Sequence, residues 1–160
     1  MKHLQRDASG AWHFDPYFAY LATIQGRLTE HVYAFAADWA HYSLDSPQSL
    51  HDAWLEELVL TEAAPSRSSQ DRTTRLRLRL LGPMHDRVHM LEYYGVLGYR
   101  LEAGMTARGH GDVLVHEVRL NELGVLVHEI LFAMGARIVI ECADIRYAEH
   151  PLPPSHSGMA

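Results

Sequence analysis

The stretch LVHEVRLNELGVLVHEILF, residues 114–132, contains the tetrapeptide LVHE twice, at 114–117 and at 126–129. Between the copies lies Asn121-Glu122-Leu123-Gly124, a spacer of the kind that joins antiparallel strands. With Glu122 and Leu123 as the turn, residue 120 pairs with 125 and residue 118 with 127. That register sets His116 opposite Glu129 and Glu117 opposite His128, close enough for each imidazole to meet a carboxylate. Because side chains alternate along a strand, the two pairs fall on opposite faces of the sheet. A slip of one residue would set Glu117 against Glu129, a like-charge pairing that argues against it. VLVHEILF (125–132) is otherwise apolar on both faces, as in a central strand covered from both sides. Helices can cover one face; the other calls for a further layer, a second copy of the chain or a binding partner.

Strand signals continue on both sides of this hairpin. Residues 137–147 form a third apolar run, joined to the second through Met134-Gly135. Upstream, RTTRLRLRLL alternates strictly, with Arg75, Arg77 and Arg79 on one face and Leu76, Leu78 and Leu80 on the other. The arginine ladder reads as a solvated face paired with Glu56, Glu57 or Glu62 across a hairpin rather than as a phosphate-contacting ribbon. WLEELVLTE (54–62) favours a strand, and 87–102 a second extended stretch bent near Gly95 and Gly98. Residues 64–72 and 104–112 read as loops.

The N-terminal part has a different period. Asp15-Pro16 reads as a helix start, and Tyr17, Leu21, Ile24 and Leu28 recur at helical spacing. Val32, Phe35, Ala36 and Trp39 continue the stripe, with Gly26 or Thr29 dividing it into two helices. The expected fold is therefore α+β: N-terminal helices packed on an antiparallel meander of about five to seven strands. Residues 1–147 are expected to form one domain, helical over 15–42 and mainly sheet over 54–147, with 148–160 a flexible tail.

Composition narrows the chemistry. The 160 residues are 48% hydrophobic and 21% charged, within the ordinary globular range. One cysteine, Cys142, excludes an internal disulfide and a multi-thiolate zinc site, and it reads as a core residue. One lysine, Lys2, removes Schiff-base chemistry from the folded body. No GxxxxGK[ST], GxSxG, GxGxxG or HExxH motif occurs, and no cofactor is implied. A net charge of −6 disfavours nucleic acid and anionic membrane and suits a basic partner. MKHLQRDASG has no apolar core of a secretory signal, so a cytoplasmic location is expected.

Twelve histidines invite a metal reading. His31 and Asp38 lie seven residues apart, about 10 Å along a helix and too far for one ion, so His31, Asp38 and His41 read as a solvated helix face. His51-Asp52 and His85-Asp86 echo the HD pair of metal phosphohydrolases, but both border strands instead of sitting on helices. No metal is assigned.

The acidic strand with Glu117, the Gly turn and HEILFAMGARIVIECADIRY (128–147), with Leu50-His51-Asp52-Ala53 upstream, resemble a group of small bacterial domains of unknown function. Some members of that group are encoded near polymorphic toxins and are suspected immunity proteins. The resemblance spans roughly 50–147 and matches at His51, Asp52, Glu117 and His128; where the group has Gly-Glu in its last hairpin, this chain has Gly135-Ala136. It implies a non-enzymatic cytosolic protein that binds a protein partner, a cognate toxin. The alternative is a metal-assisted hydrolase or small-ligand protein using the polar cluster His51, Asp52, Glu117 and His128, with His116–Glu129 as a second cross-strand pair. A homodimer through the sheet face stays open.

Overall fold

The computed structural model describes residues 1–104 and 109–153. The protein is α+β, with two α-helices and ten strands in three antiparallel sheets among the described residues. A short ribbon pairs β1 (Gln5–Arg6) with β2 (Trp12–His13). Helices α1 (Asp15–Ile24) and α2 (Glu30–Ala37) follow, separated by a 3₁₀ turn at Gln25–Arg27. The division falls where Gly26 and Thr29 were expected to place it. Phe14, not Asp15, is the N-cap of α1, so Asp15 and Pro16 occupy its first turn.

Strands β3 (Trp54–Ala63), β4 (Thr73–Leu81), β5 (Arg87–Tyr94) and β10 (Asp144–Pro151) form one sheet in the order β10-β5-β4-β3. The other sheet has the order β6-β9-β8-β7, from β6 (Gly98–Glu102), β7 (Val113–Leu120), β8 (Leu126–Phe132) and β9 (Arg137–Cys142). Ten strands thus replace the five to seven expected, because two long stretches each cross between sheets and the β1–β2 ribbon adds two more. The chain bends at Gly95 between β5 and β6 and at Ala143 between β9 and β10. Backbone bonds from Leu97 N to Glu141 O (2.8 Å) and from Ala143 N to Tyr94 O (3.0 Å) carry pairing around the corner. β10 reaches Pro151, which pairs with Arg87, so residues 148–151 are strand rather than tail. The rest of the expected tail, from 154 onward, lies outside the described residues, as does part of the 104–112 loop.

Alternation fixes what each sheet buries. Leu76, Leu78 and Leu80 of β4 are buried, while Arg77 and Arg79 pair outward with Glu57 (3.1 Å) and Glu56 (2.8 Å) on β3. Facing them in the same core are Val118, Ile130, Ile138, Ile140 and Cys142 of the second sheet, and Tyr17, Leu21, Ile24 and Val32 of the helices. α1 also closes a sheet edge. The outward N–H groups of Val118 and Leu120 on β7 donate to the hydroxyls of Tyr17 and Tyr20, each at 2.9 Å.

The register of the 114–132 hairpin differs by one residue from that expected. Glu117 pairs with Glu129, His116 with Ile130 and Val118 with His128. The loop, not the strands, decides this. Asn121 N donates to Val125 O and Gly124 N donates to Asn121 O, both at 2.9 Å, leaving three residues in the turn. Gly124 sits at φ 79°, the left-handed conformation that closes a type I turn into a three-residue hairpin. The Asn121 side chain seals it, accepting from the N–H groups of Leu123 (3.0 Å) and Val125 (2.9 Å). The next hairpin repeats the device: Gly135 N donates to Phe132 O, and Gly135 is at φ 82°. Replacing Gly124 with Ala forces a side chain into that conformation and is expected to cost about 1–2 kcal/mol. Equilibrium urea denaturation checks it; an unchanged midpoint would contradict the turn assignment.

Candidate functional site

The register gathers like with like. On one face of the second sheet two carboxylates meet; on the other, two imidazoles. Glu117 is fully buried and accepts from three consecutive backbone N–H groups, those of Lys2 (2.9 Å), His3 (2.7 Å) and Leu4 (2.7 Å). Glu129 pairs with the Met1 ammonium (2.6 Å), with Arg119 (2.9 Å) and with Arg137 (3.1 Å). Arg119 also reaches Glu117, at 3.4 Å. Cations and backbone donors therefore supply what a facing imidazole was expected to supply, and the like-charge pairing becomes tolerable. Burial raises the Glu129 pKa, but the ammonium and the two guanidinium groups outweigh it, and the carboxyl stays below its ordinary range.

Both carboxylates are thus structural, anchoring the first residues of the chain to the outer face of the sheet. Removing the Glu117 carboxylate by substitution with Ala strands three backbone N–H groups and leaves Arg119 with Glu129 alone. The expected loss is about 3–5 kcal/mol. Glu117→Gln, which keeps one acceptor oxygen, should lose less. Urea denaturation of the two variants checks the order; equal losses, or none, would contradict it.

On the inner face Tyr93, His128 and His116 form a buried chain. The Tyr93 hydroxyl lies 2.7 Å from His128 Nδ1, and His128 Nε2 lies 3.1 Å from His116 Nδ1. One proton arrangement leaves a single orphan. The tyrosine O–H donates to His128 Nδ1, His128 Nε2–H donates to His116 Nδ1, and only the N–H at His116 Nε2, a buried atom without a partner, is unmatched. The His116 ring is stacked between Tyr42 (4.5 Å between centroids) and Phe35 (5.6 Å). Burial holds both imidazoles well below the ordinary histidine value, His128 at about 3, with Arg119 adding to the effect there.

A second network runs along β5 and β10. His89 Nδ1–H donates to the Tyr147 hydroxyl (2.8 Å), which donates to Glu149 Oε1 (3.0 Å). Gln48 and Arg87 complete the carboxylate at 2.9 and 2.8 Å. Burial pushes His89 down to about 4, although Glu149 opposes it.

Three buried histidines are therefore neutral in the fold. Unfolded, each has a pKa near 6.5, so below that pH the unfolded chain binds more protons. Their contribution to stability is complete above about pH 6.5 and is lost as pH falls toward the folded values, about 4 for His89, about 3 for His128 and well below the ordinary value for His116. Urea midpoints should drop between pH 7 and pH 5, and less steeply in a His89→Phe variant. Superimposable midpoints at the two pH values would contradict neutral burial.

The four residues of the expected polar cluster do not converge. Glu117 and His128 occupy opposite faces of the sheet, since their partners are Glu129 and Val118. His116 and Glu129 are likewise on opposite faces. His51 and Asp52 form a tight turn before β3, with Asp52 at φ 64° and its N–H donating to Val113 O. Their side chains pair with each other, His51 Nδ1 standing 3.0 Å from Asp52 Oδ1. His85-Asp86 forms the β4–β5 turn, where Asp86 pairs with Arg87. Among the described residues no group of three or more His, Cys, Asp or Glu side chains is placed to hold a metal ion. Cys142 is buried, and desolvation raises its thiol to about 12.

His31 is exposed on α2 as expected, but Asp38 and His41 lie beyond the helix and His41 is buried, so the three do not form one solvated helix face. α2 ends at Ala37, and Asp38 is extended, its side chain accepting from Ala40 N to start a 3₁₀ turn at Trp39–His41. That break turns His41 inward, only 3% exposed, with Nδ1 2.9 Å from Phe35 O. The three residues line a cleft of about 550 Å³ between α2 and β10, with Gln48, Tyr147 and Glu149. Sequence reading missed Glu149 as a site residue because it ended the strand at Tyr147, and Tyr147 because nothing local marks it as facing the cleft. For Glu149 the alternation Ile145, Tyr147, Glu149 was the available signal.

No family model, curated protein or solved structure matches the chain.

Proposed function

We propose that the protein is a non-enzymatic cytosolic binding protein, an immunity protein that neutralises a basic toxin by covering it. The observation that carries this reading is the edge of the second sheet formed by β6, on which no further strand pairs among the described residues. β6 ends that sheet, and on and beside it Leu97, Tyr99 and Leu101 are 70%, 47% and 52% exposed. Apolar side chains on an open strand edge form a surface on which a partner can pair its own strand and bury its own apolar groups. The net charge of −6 would steer a basic partner toward it. The short-motif resemblance of residues 50–147 to suspected immunity proteins points the same way.

The alternative, a metal-assisted hydrolase built on His51, Asp52, Glu117 and His128, gains no support from their placement. Each of the four is engaged elsewhere, two of them on opposite sides of one sheet. In the proposed reading the N-terminal helices and the strands they cover are scaffold, and the edge is the working part.

Co-expression with the product of the neighbouring toxin gene tests the proposal. The wild-type chain should restore growth and co-elute with that product on gel filtration. Leu101→Asp and Tyr99→Asp should each weaken the complex by about 30-fold, the size of an anchor residue's effect, with urea midpoints unchanged. Absence of rescue and of a complex would overturn the reading. A dimer of this chain, seen by light scattering and lost in Leu101→Asp, would reassign the edge to a second copy.

A further inference from the structure

Away from β6, a pocket of about 450 Å³ opens beside the 3₁₀ turn, lined by Trp12, Phe14, Trp39, Tyr42, Asp45 and His51 among others. Tyr42 belongs to the core and Trp12 and Phe14 pack against it, so that Trp39 is the ring of the four that the core leaves exposed. Three of them are mutually braced. Phe14 meets Trp39 edge-on at 5.5 Å and Tyr42 at 5.6 Å, and Trp39 and Tyr42 lie within 24° of parallel, 6.5 Å apart. Tyr42 is pinned from behind by its hydroxyl, which donates to Ala36 O at 2.8 Å. Trp39, braced on one side, is nevertheless 53% exposed. The fold thus holds a large apolar ring rigidly at the surface instead of burying it.

We propose that this pocket is an aromatic cage for an alkylated ammonium cation, a trimethylammonium group carried by a free small molecule or by a methylated lysine. Three features select that chemistry. Aromatic faces carry negative potential and attract cations. Asp45, exposed at the rim, is the carboxylate among the lining residues and sets the sign of the ligand. A primary ammonium has three N–H groups that need acceptors, which ring faces supply poorly; a trimethylated one presents only C–H surface and loses little on entering. Trp12 already attracts a cation within the chain, the Arg6 guanidinium lying 5.7 Å from its ring centroid.

This site is independent of the β6 edge. Isothermal titration of the full chain with choline and with a trimethyl-lysine peptide tests it, using 3,3-dimethylbutan-1-ol as the neutral isostere of choline. Saturable binding of at least one cation is expected, with the isostere weaker by about tenfold or more, the size of a desolvated cation–π contribution. Choline and peptide binding alike identifies a free ligand; a clear preference for the peptide identifies a methylated protein. Trp39→Ala should reduce cation binding by about tenfold, and Asp45→Asn by a few-fold, while Leu101→Asp leaves it unchanged. Trp39 is exposed enough to truncate without unfolding the chain, which circular dichroism verifies. Equal binding of the isostere, or no heat with either cation, would overturn the cage.

Discussion

Gly124, at φ 79°, adds one residue to a hairpin loop, and the buried histidines and glutamates of β7 and β8 take their pairing from that addition. A period of two means that a single-residue change of register exchanges the pairing partner at each position. The exchange sorts the two LVHE copies by chemical type. Carboxylates gather on the outer face, where the chain's first residues and two arginines can neutralise them. Imidazoles gather on the inner face, where they can remain neutral among aromatic rings. The opposite sorting would have required an imidazole–carboxylate pair inside the core, with a buried charge to compensate.

The two faces solve the burial of polarity differently. On the outer face charge is kept and matched: Glu117 and Glu129 against Arg119, Arg137 and the ammonium, with three backbone donors wrapped around Glu117. A matched set of this kind specifies position more than it adds stability, since desolvating the ions offsets much of their attraction. It fixes where the first four residues lie, and so which sheet surface they cover. On the inner face charge is avoided. Stacking and hydrogen bonding hold His116 and His128 as neutral polar spacers between Tyr93 and Tyr42.

With the conspicuous histidines and glutamates engaged in this way, the surfaces free to act lie at the margins of the fold. They are the edge of β6, unpaired among the described residues, the cleft between α2 and β10, and the aromatic pocket beside the 3₁₀ turn. All three arise where a regular element stops. β6 ends a sheet whose neighbour curls away at Gly95, and α2 is cut short at Asp38, which turns His41 inward and Trp39 outward. Function at such places needs no residue with a shifted pKa; it needs rigid exposure.

Local pattern by itself determined the α+β class, the split between the two helices, the alternation of β4 and its ion pairs with Glu56 and Glu57, the bend near Gly95 and the antiparallel placing of the two LVHE copies. Each depends on neighbours within a few residues or on one hairpin, where periodicity and turn residues carry the information. Only the tertiary structure decided the register, because two- and three-residue turns fit the same Asn-Glu-Leu-Gly spacer and differ in whether Gly124 adopts a left-handed conformation. The like-charge pairing that argued against the observed register was outweighed by the Met1 ammonium and three backbone N–H groups, all more than a hundred residues distant in sequence, together with Arg119 and Arg137. The inward turn of His41, the continuation of β10 to Pro151 and the convergence of Trp12 and Trp39 on one pocket were equally out of reach. Each is settled by which distant surface arrives to cover a side chain, and no local period records that.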